Sequence, residues 1–422
     1  MPFSKSERIT ALIGPNGMGK TACLKLIDAL FKKRWSVFSS TEFEHIVFNF
    51  SDGSEIVIRK FPEDETSSSV ELMGIAVETN TSSNETGTWT PRSIDTTTSK
   101  FSRVERFLPF LTRSGPRNWT HDYSGQTLNL QDVVENYAAD IPEEILEEFS
   151  ETPPEDLLTI IKNVDCHLIE TQRLLVFRDD DYRRGPHGRS SQLAISKKAQ
   201  VLRNTISKEL ASYAAISQSL DRSFPRRVIQ TGPATSPQNL AASLAGLDAT
   251  RRGLMEAGIL DPEGDEAFPI INDVNDAVSA VLKVYVSDTE QKLNVLERLR
   301  ERILLFIELI DDRFTPKSVV VHKNEGFRVQ RSTKHDVPLE KLSSGEQHQL
   351  VLFFELLFEL KPNALILIDE PELSLHVGWQ KKFIPDLQRI IALNEFDVLL
   401  ATHSPQLIGE WDDVVVDLGD VE

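Results

Sequence analysis

The chain is 422 residues long, enough to bury a full core and expected to form two structural units, a head and an appendage. With 65 Asp and Glu against 46 Lys and Arg its formal charge is −19, which argues against a surface that coats nucleic acid non-specifically, although a local basic groove remains open. Two cysteines, Cys23 and Cys166, are too few and too distant for a disulfide framework or a zinc site, and fit reduced thiols in a cytosolic protein. No segment reads as a signal peptide or membrane span, since the most apolar run, Val351 to Leu360, carries Glu355 and Glu359.

In chain order, residues 9–13 are an apolar strand that feeds GPNGMGKT, Gly14 to Thr21, and a helix follows to Phe31. This string fits the phosphate-loop pattern GxxxxGK[ST], and it has the strand before and helix after that the pattern needs. Gly14, Pro15, Asn16, Gly17, Met18 and Gly19 form the loop, whose N–H groups turn inward because glycine tolerates the dihedrals. Lys20 is expected on the β- and γ-phosphates and Thr21 on Mg²⁺. His45 to Phe50 and Glu55 to Phe61 alternate about a Ser-Asp-Gly-Ser turn and predict a hairpin. Residues 77–104 are rich in Ser, Thr and Asn, and read as a long loop or insertion.

No Lys or Arg occurs between Arg117 and Lys162, while acids gather over 139–156, the pattern of a solvated acidic helix face or, less simply, a partner-binding surface. Cys166 to Leu175 reads as one apolar strand interrupted by Gln172, whose amide can touch both Mg²⁺ and an attacking water. Residues 178–189 form a polar loop whose arginines, with Arg222, Arg226 and Arg227, make the best basic patch, though a solvated loop is the plainer reading. From Ala194 to Leu260 helical patterning dominates, and Val278 to Ile310 reads as one long amphipathic helix; together they form a short arm. Residues 318–321 and 326–329 flank a turn at Asn324 and Glu325.

Two further strings decide the chemistry. LSSGEQ, Leu342 to Gln347, precedes a helix starting near Glu346, and its Ser343, Ser344, Gly345 and Glu346 offer a hydroxyl and N–H groups to an anion. ALILIDEPE, Ala364 to Glu372, is a buried strand ending in Asp369, suited to orient Mg²⁺, and Glu370, suited to polarise water against the γ-phosphate. A last strand, Phe396 to Ala401, ends in Thr402 and His403, and His403 is placed to bond the γ-phosphate and report its presence.

Two phosphate cradles in one chain resemble the ABC-type ATPases, and the run LIDEPELSLHVGWQ followed by ATHSP resembles the OLD group and its SMC-like relatives. The resemblance is close over the first 60 residues and over 315–411. It implies an α/β head with a mixed parallel sheet, an antiparallel β-subdomain and an inserted helical arm, divided as 1–175 (with a loop and acidic insertion at about 77–160), 190–312 and 313–422. It assigns Gly14 to Thr21 as Walker A, Gln172 as the Q-loop glutamine, Ser343 to Glu346 as the signature and Asp369 and Glu370 as Walker B. Ser374 to His376 becomes the D-loop and His403 the switch histidine. The catalytic set is then Glu370, His403, Gln172 and Lys20, and the metal set Thr21, Gln172 and Asp369.

Ser344, Glu346 and Val377 depart from the transporter pattern, and only 13 residues precede Gly14, where relatives carry another strand. The resemblance also implies ATP and Mg²⁺ as ligands and a homodimer or higher homo-oligomer, because one protomer's signature closes on the other's phosphate loop. Four functions compete: a transport ATPase, discounted because a helical arm separates Gln172 from Ser343, a DNA-repair or chromosome-tethering ATPase of RecF or SMC type, an ATP-clasped scaffold with little turnover, and the ATPase half of a prokaryotic antiphage system of Septu- or PARIS-like kind. The last is preferred because the chain ends soon after His403, without space for a nuclease domain, so that the effector would be a separate protein.

Overall fold

The computed structural model describes residues 7–61, 74–82, 86–92, 106–108, 110–115, 118–122, 125, 127–137, 141, 152–170, 175–176, 192–231, 237–261, 275–333 and 335–419. The chain enters as β1 (Ile9–Ile13) and turns through the glycine loop into α1 (Lys20–Phe31) and then α2 (Trp35–Ser40). Strands β2 (His45–Asn49), β3 (Glu55–Lys60), β4 (Ile75–Asn80) and β5 (Thr86–Trp89) follow as an antiparallel sheet in chain order. The expected hairpin is therefore present, closed by Phe50 N–H donating to Ser54.

The reading of 77–104 as loop is corrected at its start. Val77 and Thr79 are buried on one side of β4, and β5 pairs with that strand from Val77–Trp89 to Asn80–Thr86. Threonine has high strand propensity when one face is covered, so a Thr-rich stretch was mistaken for irregular chain. A second small sheet, β6 (Leu111–Arg113), β7 (Asn118–His121) and β8 (Thr127–Asn129), leads into α3 (Leu130–Asn136). Helix α4 (Glu155–Ile161) follows.

Strand β9 (Cys166–Glu170) belongs to the main sheet, whereas β10 (Leu175–Val176) pairs with β11 (Gln192–Leu193) elsewhere. The single strand read over 166–175 is thus two strands in two sheets. The acidic run and the arginine loop lie largely outside the described residues, but Asp156 is not merely solvated: Thr79 Oγ1 donates to it at 2.9 Å.

Next come α5 (Ala194–Gln230), α6 (Pro237–Glu256) and α7 (Asp276–Phe314). The last spans 39 residues, longer than the periodicity suggested and about 58 Å at 1.5 Å per residue. Strands β12 (Lys317–His322), β13 (Gly326–Arg331) and β14 (Asp336–Val337) return the chain to α8 (Ser344–Phe354), which continues as one π-helical turn to Glu359. Then follow β15 (Leu365–Asp369), α9 (Val377–Asn394), β16 (Asp397–Ala401), the single turn α10 (Pro405–Ile408) and β17 (Val415–Asp417).

The main sheet has the order β17-β1-β16-β15-β9, and every pairing within it is parallel. Alternation along these strands divides their side chains between two faces. Leu12, Leu367, Leu399 and Ala401 pack beneath α1 with Leu24 and Ile27. Ile9, Ala11, Ile366, Ile368, Val398 and Leu400 face the core built by α7, α8 and α9. With each fully buried Leu or Ile worth roughly 1.5–3 kcal/mol, both faces of the sheet are fixed, as a parallel sheet requires.

β1 lies between β16 and β17, so the place beside it is filled by the chain's own last strand. The arm helices are not a detached appendage. Leu202 and Ile206 of α5, Leu254 of α6 and Phe306, Ile310 and Phe314 of α7 lie in the same continuous core as the sheet. Lys198, at the base of α5, bonds Glu355 at 2.7 Å and Glu359 at 2.6 Å on the π-turn that follows α8.

Candidate nucleotide site

Parallel pairing brings the C-terminal ends of β1, β16, β15 and β9 to one edge. Leu12 stands opposite Ala401, Ala401 opposite Asp369, and Asp369 opposite Glu170. Open α/β sheets present ligands at this edge, and the predicted site residues follow these strand ends.

After β1 the loop glycines take positive φ, at +146° for Gly14, +85° for Gly17 and +85° for Gly19. A Cβ at Gly17 or Gly19 would meet nothing within 4 Å, so these glycines are required by backbone conformation and line open space. Such a cradle, opening at the N-terminus of the 12-residue α1, fits a polyphosphate. Lys20 is buried and curls over its own loop, its ammonium donating to the carbonyls of Gly14 at 2.6 Å and Pro15 at 3.0 Å. Beside the loop runs the end of β17: Leu418 N–H donates to Ile13, and Leu418 Cβ lies 3.6 Å from where a Gly14 Cβ would stand.

Thr21 Oγ1 donates to Asp369 Oδ1 at 3.0 Å, joining two residues 348 apart in sequence. These are two of the three predicted magnesium ligands. A hydroxyl beside a carboxylate, with few other protein oxygens, suits a hard cation that keeps most of its waters and takes the rest of its shell from phosphate. The third, Gln172, lies outside the described residues, although the strand before it ends beside β15.

Glu370 adopts φ +46° and ψ +56°, the left-handed region, which is uncommon for a residue with a Cβ. Its N–H donates to Ala401 O at 2.9 Å, the last bond of the β15–β16 ladder, after which the chain turns off the strand at Pro371. The carboxylate is thereby aimed along the sheet edge toward His403, whose Nε2 lies 3.6 Å from Glu370 Oε1. Thr402 N–H donates to Leu12 O, so the segment after β16 is tied to the strand that carries the loop.

The signature string is organised differently from its sequence reading. Helix α8 starts at Ser344, not Glu346, and Ser343 is its N-cap. Glu346 N–H donates to Ser343 Oγ, and Ser343 N–H donates to Glu346 Oε2 at 2.9 Å: a capping box. Lys317 donates to the other Glu346 oxygen at 2.6 Å. Burial by itself raises the Glu346 carboxyl, but hydrogen bonds from Lys317 and Ser343 outweigh it and hold the group below its ordinary range. Glu346 therefore shapes the loop as an anion, while Ser344 and Gly345 supply the free first-turn N–H groups.

Two residues were missed by sequence reading. Glu372 accepts from the His403 N–H at 2.6 Å, holding the switch segment. Gln380, on α9, donates to Leu375 O and accepts from Ser404 Oγ at 2.6 Å, which links the D-loop to the same segment. Glu372 could have been found as the second acid of EPE; Gln380 gives no sequence signal, because its role depends on α9 folding back beside β16. At the D-loop His376 Nδ1 accepts from Gly378 N–H at 3.3 Å, while Leu373 and Val377 are exposed. Met18, on the phosphate loop, is exposed as well.

Among the described residues no helix is long and apolar enough to cross a membrane.

Residues 9–409 match the family model described as "AAA domain, putative AbiEii toxin, Type IV TA system". The Retron Ec83 probable ATPase of Escherichia coli is 30% identical over 151 residues, a match that covers 29% of this chain and 27% of that protein. The chain thus matches about a quarter of that relative's length. Among solved structures, an Smc head domain with an extended coiled coil from Pyrococcus furiosus aligns over 98% of this chain and 87% of its own at 12% identity, with a TM-score of 0.33. An SMC head domain from Thermotoga maritima aligns over 98% and 86% at 13% identity, with a TM-score of 0.29.

Proposed function

We propose that this chain, which belongs to the AAA-domain family matched over residues 9–409, binds and hydrolyses ATP with Mg²⁺ and controls a separate effector in prokaryotic antiphage defence. The observation that carries this reading is the convergence at one sheet edge of the glycine cradle, the Thr21–Asp369 bond and the Glu370–His403 pair. Phosphoryl transfer to water needs positioning and charge stabilisation more than covalent chemistry, and this edge supplies both.

Lys20 and the loop N–H groups bind the phosphates. Thr21 and Asp369 would hold Mg²⁺, which neutralises charge on the phosphate oxygens when bound. Glu370 orients and polarises the attacking water, a task suited to a carboxylate whose backbone is fixed off-strand. His403, steadied through Glu372, answers to the γ-phosphate. The likeness to a retron ATPase supports the defence role, and a nuclease is the effector chemistry we favour.

The signature loop presents its anion-binding N–H groups on α8, and we infer that it serves the phosphate loop of a second copy, with ATP bridging the two. Exposed Met18, Leu373 and Val377 flank the phosphate loop and D-loop and supply apolar contact for that pairing. The deciding experiment is phosphate release by wild type and E370Q. Turnover in wild type, lost by a factor of about 10² or more in E370Q with ATP still bound, is the expected result. Wild type that binds ATP without releasing phosphate sinks the hydrolytic reading in favour of a clasp.

A further inference from the structure

Helix α5 has a charge unlike the rest of the molecule. It carries seven Lys and Arg against two acids, in a chain whose formal charge is −19. Three of these groups are accounted for within the fold: Lys198 bonds Glu355 and Glu359, Arg227 bonds Asp288, and Asp221 accepts from Lys292 at 2.8 Å. The other acid, Glu209, acts on Arg302 of α7. Both acids of α5 thus face α7.

Five cations remain, of which Arg203 is half-buried and lies to one side; the other four are ordered. Lys197, Lys208, Arg222 and Arg226 are all exposed, and among the described residues none of their side chains forms an ion pair or hydrogen bond. Their separations are 11, 14 and 4 residues, which at 3.6 residues per turn put all four within about 40° of arc on one side of the helix. They mark a line about 44 Å long at 1.5 Å per residue, with Pro225 inside the helix between its last two cations. Between them the same stripe holds Asn204, Ala211, Ala215 and Ser219, all exposed, small or neutral.

The shape and charge of this stripe select among partners. A protein interface is anchored by exposed aromatic or large apolar side chains that become buried on binding, and between these four cations the stripe exposes none, Val201 at its edge packing into the core. A nucleic-acid backbone is a uniform polyanion, with one charge per 1.7 Å of duplex, and binds a cationic line in any register. On a molecule this acidic, segregation of the cations onto one acid-free line is the condition for approach by a polyanion. We infer that the outer stripe of α5, Lys197, Lys208, Arg222 and Arg226, is a sequence-independent binding surface for the phosphate backbone of nucleic acid, separate from the nucleotide site.

The test uses the full chain and fluorescence anisotropy with a labelled mixed-sequence DNA duplex of about 20 base pairs, longer than the stripe at 3.4 Å per step. Four phosphate contacts give a slope of log affinity against log salt of about −3.6, so binding weakens about 150-fold from 50 to 200 mM salt. The variant K208E/R222E/R226E retains one contact, so its slope falls to about −0.9, about a threefold change over the same range. K283E, an exposed charge reversal on α7, should leave the wild-type slope intact.

Single-stranded DNA of the same sequence should give about −0.7 per contact instead of −0.9. ATP turnover by the triple variant reports its fold independently of the DNA result. If that variant does not fold, R222Q decides alone, by shortening the slope by about 0.9. Three results overturn the inference: no binding by wild type at 50 mM salt, a wild-type slope in the triple variant, or binding of a polyglutamate peptide as tight as that of DNA, which would make the stripe a site for an acidic protein.

Discussion

Glu370 holds a left-handed backbone that a residue with a Cβ adopts only when its surroundings dictate it, here where the last ladder bond of β15 meets the tight turn beginning at Pro371. The same logic of enforced placement applies to Arg313. Its guanidinium is buried, bonds Asp386 of α9 and Leu309 O, and lies 4.8 Å from the centre of the Phe353 ring of α8. One side chain therefore joins the end of α7 to both helices that follow the signature and D-loop strings. R313M should destabilise the protein by about 3–5 kcal/mol, because Asp386 is left as an uncompensated buried charge, and urea denaturation measures it. R313M with D386L should recover much of that loss, since replacing the whole pair with apolar groups removes the orphan.

Burial pushes the Cys166 thiol up to about 12, with Asp28 adding to the shift. The thiolate is the reactive form, so native Cys166 should react about a thousandfold more slowly with a disulfide reagent than an unperturbed thiol, and normally once the chain is unfolded. A raised folded value means stability is present at neutral pH and falls as pH rises from about 9 toward 12, where the unfolded chain ionises first. Cysteine labelling resolved by mass spectrometry reads the first effect.

At the scale of elements, the arm is coupled to the head by close packing as well as by charge. Gly326, at φ +82° in the β12–β13 turn, lies so near α5 that a Cβ there would come 1.9 Å from Ala199 O, and Gly258 makes the same approach to Val321 O. Backbone atoms cannot yield as a side chain can, so G326A must push the hairpin off the base of α5. The expected loss is about 1–3 kcal/mol from overpacking, with about 1 kcal/mol more for the left-handed backbone, read as a lower urea midpoint at unchanged m-value. The sequence marked a turn at Asn324 and Glu325, but not that the next glycine was demanded by another helix. The same limit applies to the start of 77–104, where β4 pairs with β3 and β5 with β4, since only a neighbour strand tells a β-branched polar run from a solvated one.

For the whole molecule, the two candidate anion cradles lie on separate elements, the N-terminus of α1 and that of α8. The pairing proposed for ATP makes a concentration-dependent prediction. Sedimentation of E370Q with ATP and Mg²⁺ should give a dimer, while K20A, which loses the phosphate contact, should remain a monomer under the same conditions. A strict monomer for E370Q at saturating ATP contradicts the split site but leaves hydrolysis to its own assay. Co-purification from cells carrying the neighbouring genes, with and without ATP-site variants, tests the separate effector.

The sequence by itself marked the residues of the candidate site. The glycine loop, Lys20, Thr21, Asp369, Glu370 and His403 could be read in order because phosphate binding demands fixed residue types at fixed local spacing, and local spacing is what a sequence preserves. It also determined that parallel strands carry them, through unbroken apolar runs such as Leu365–Ile368. Only the tertiary structure decided that β17 closes beside the phosphate loop, that Glu346 is tied to Lys317, that Glu372 and Gln380 steady His403, and that four cations scattered over thirty residues fall on one line. Each of those depends on which elements become neighbours or on helical geometry sustained over many turns, and contacts between residues hundreds of positions apart leave no local trace in the chain.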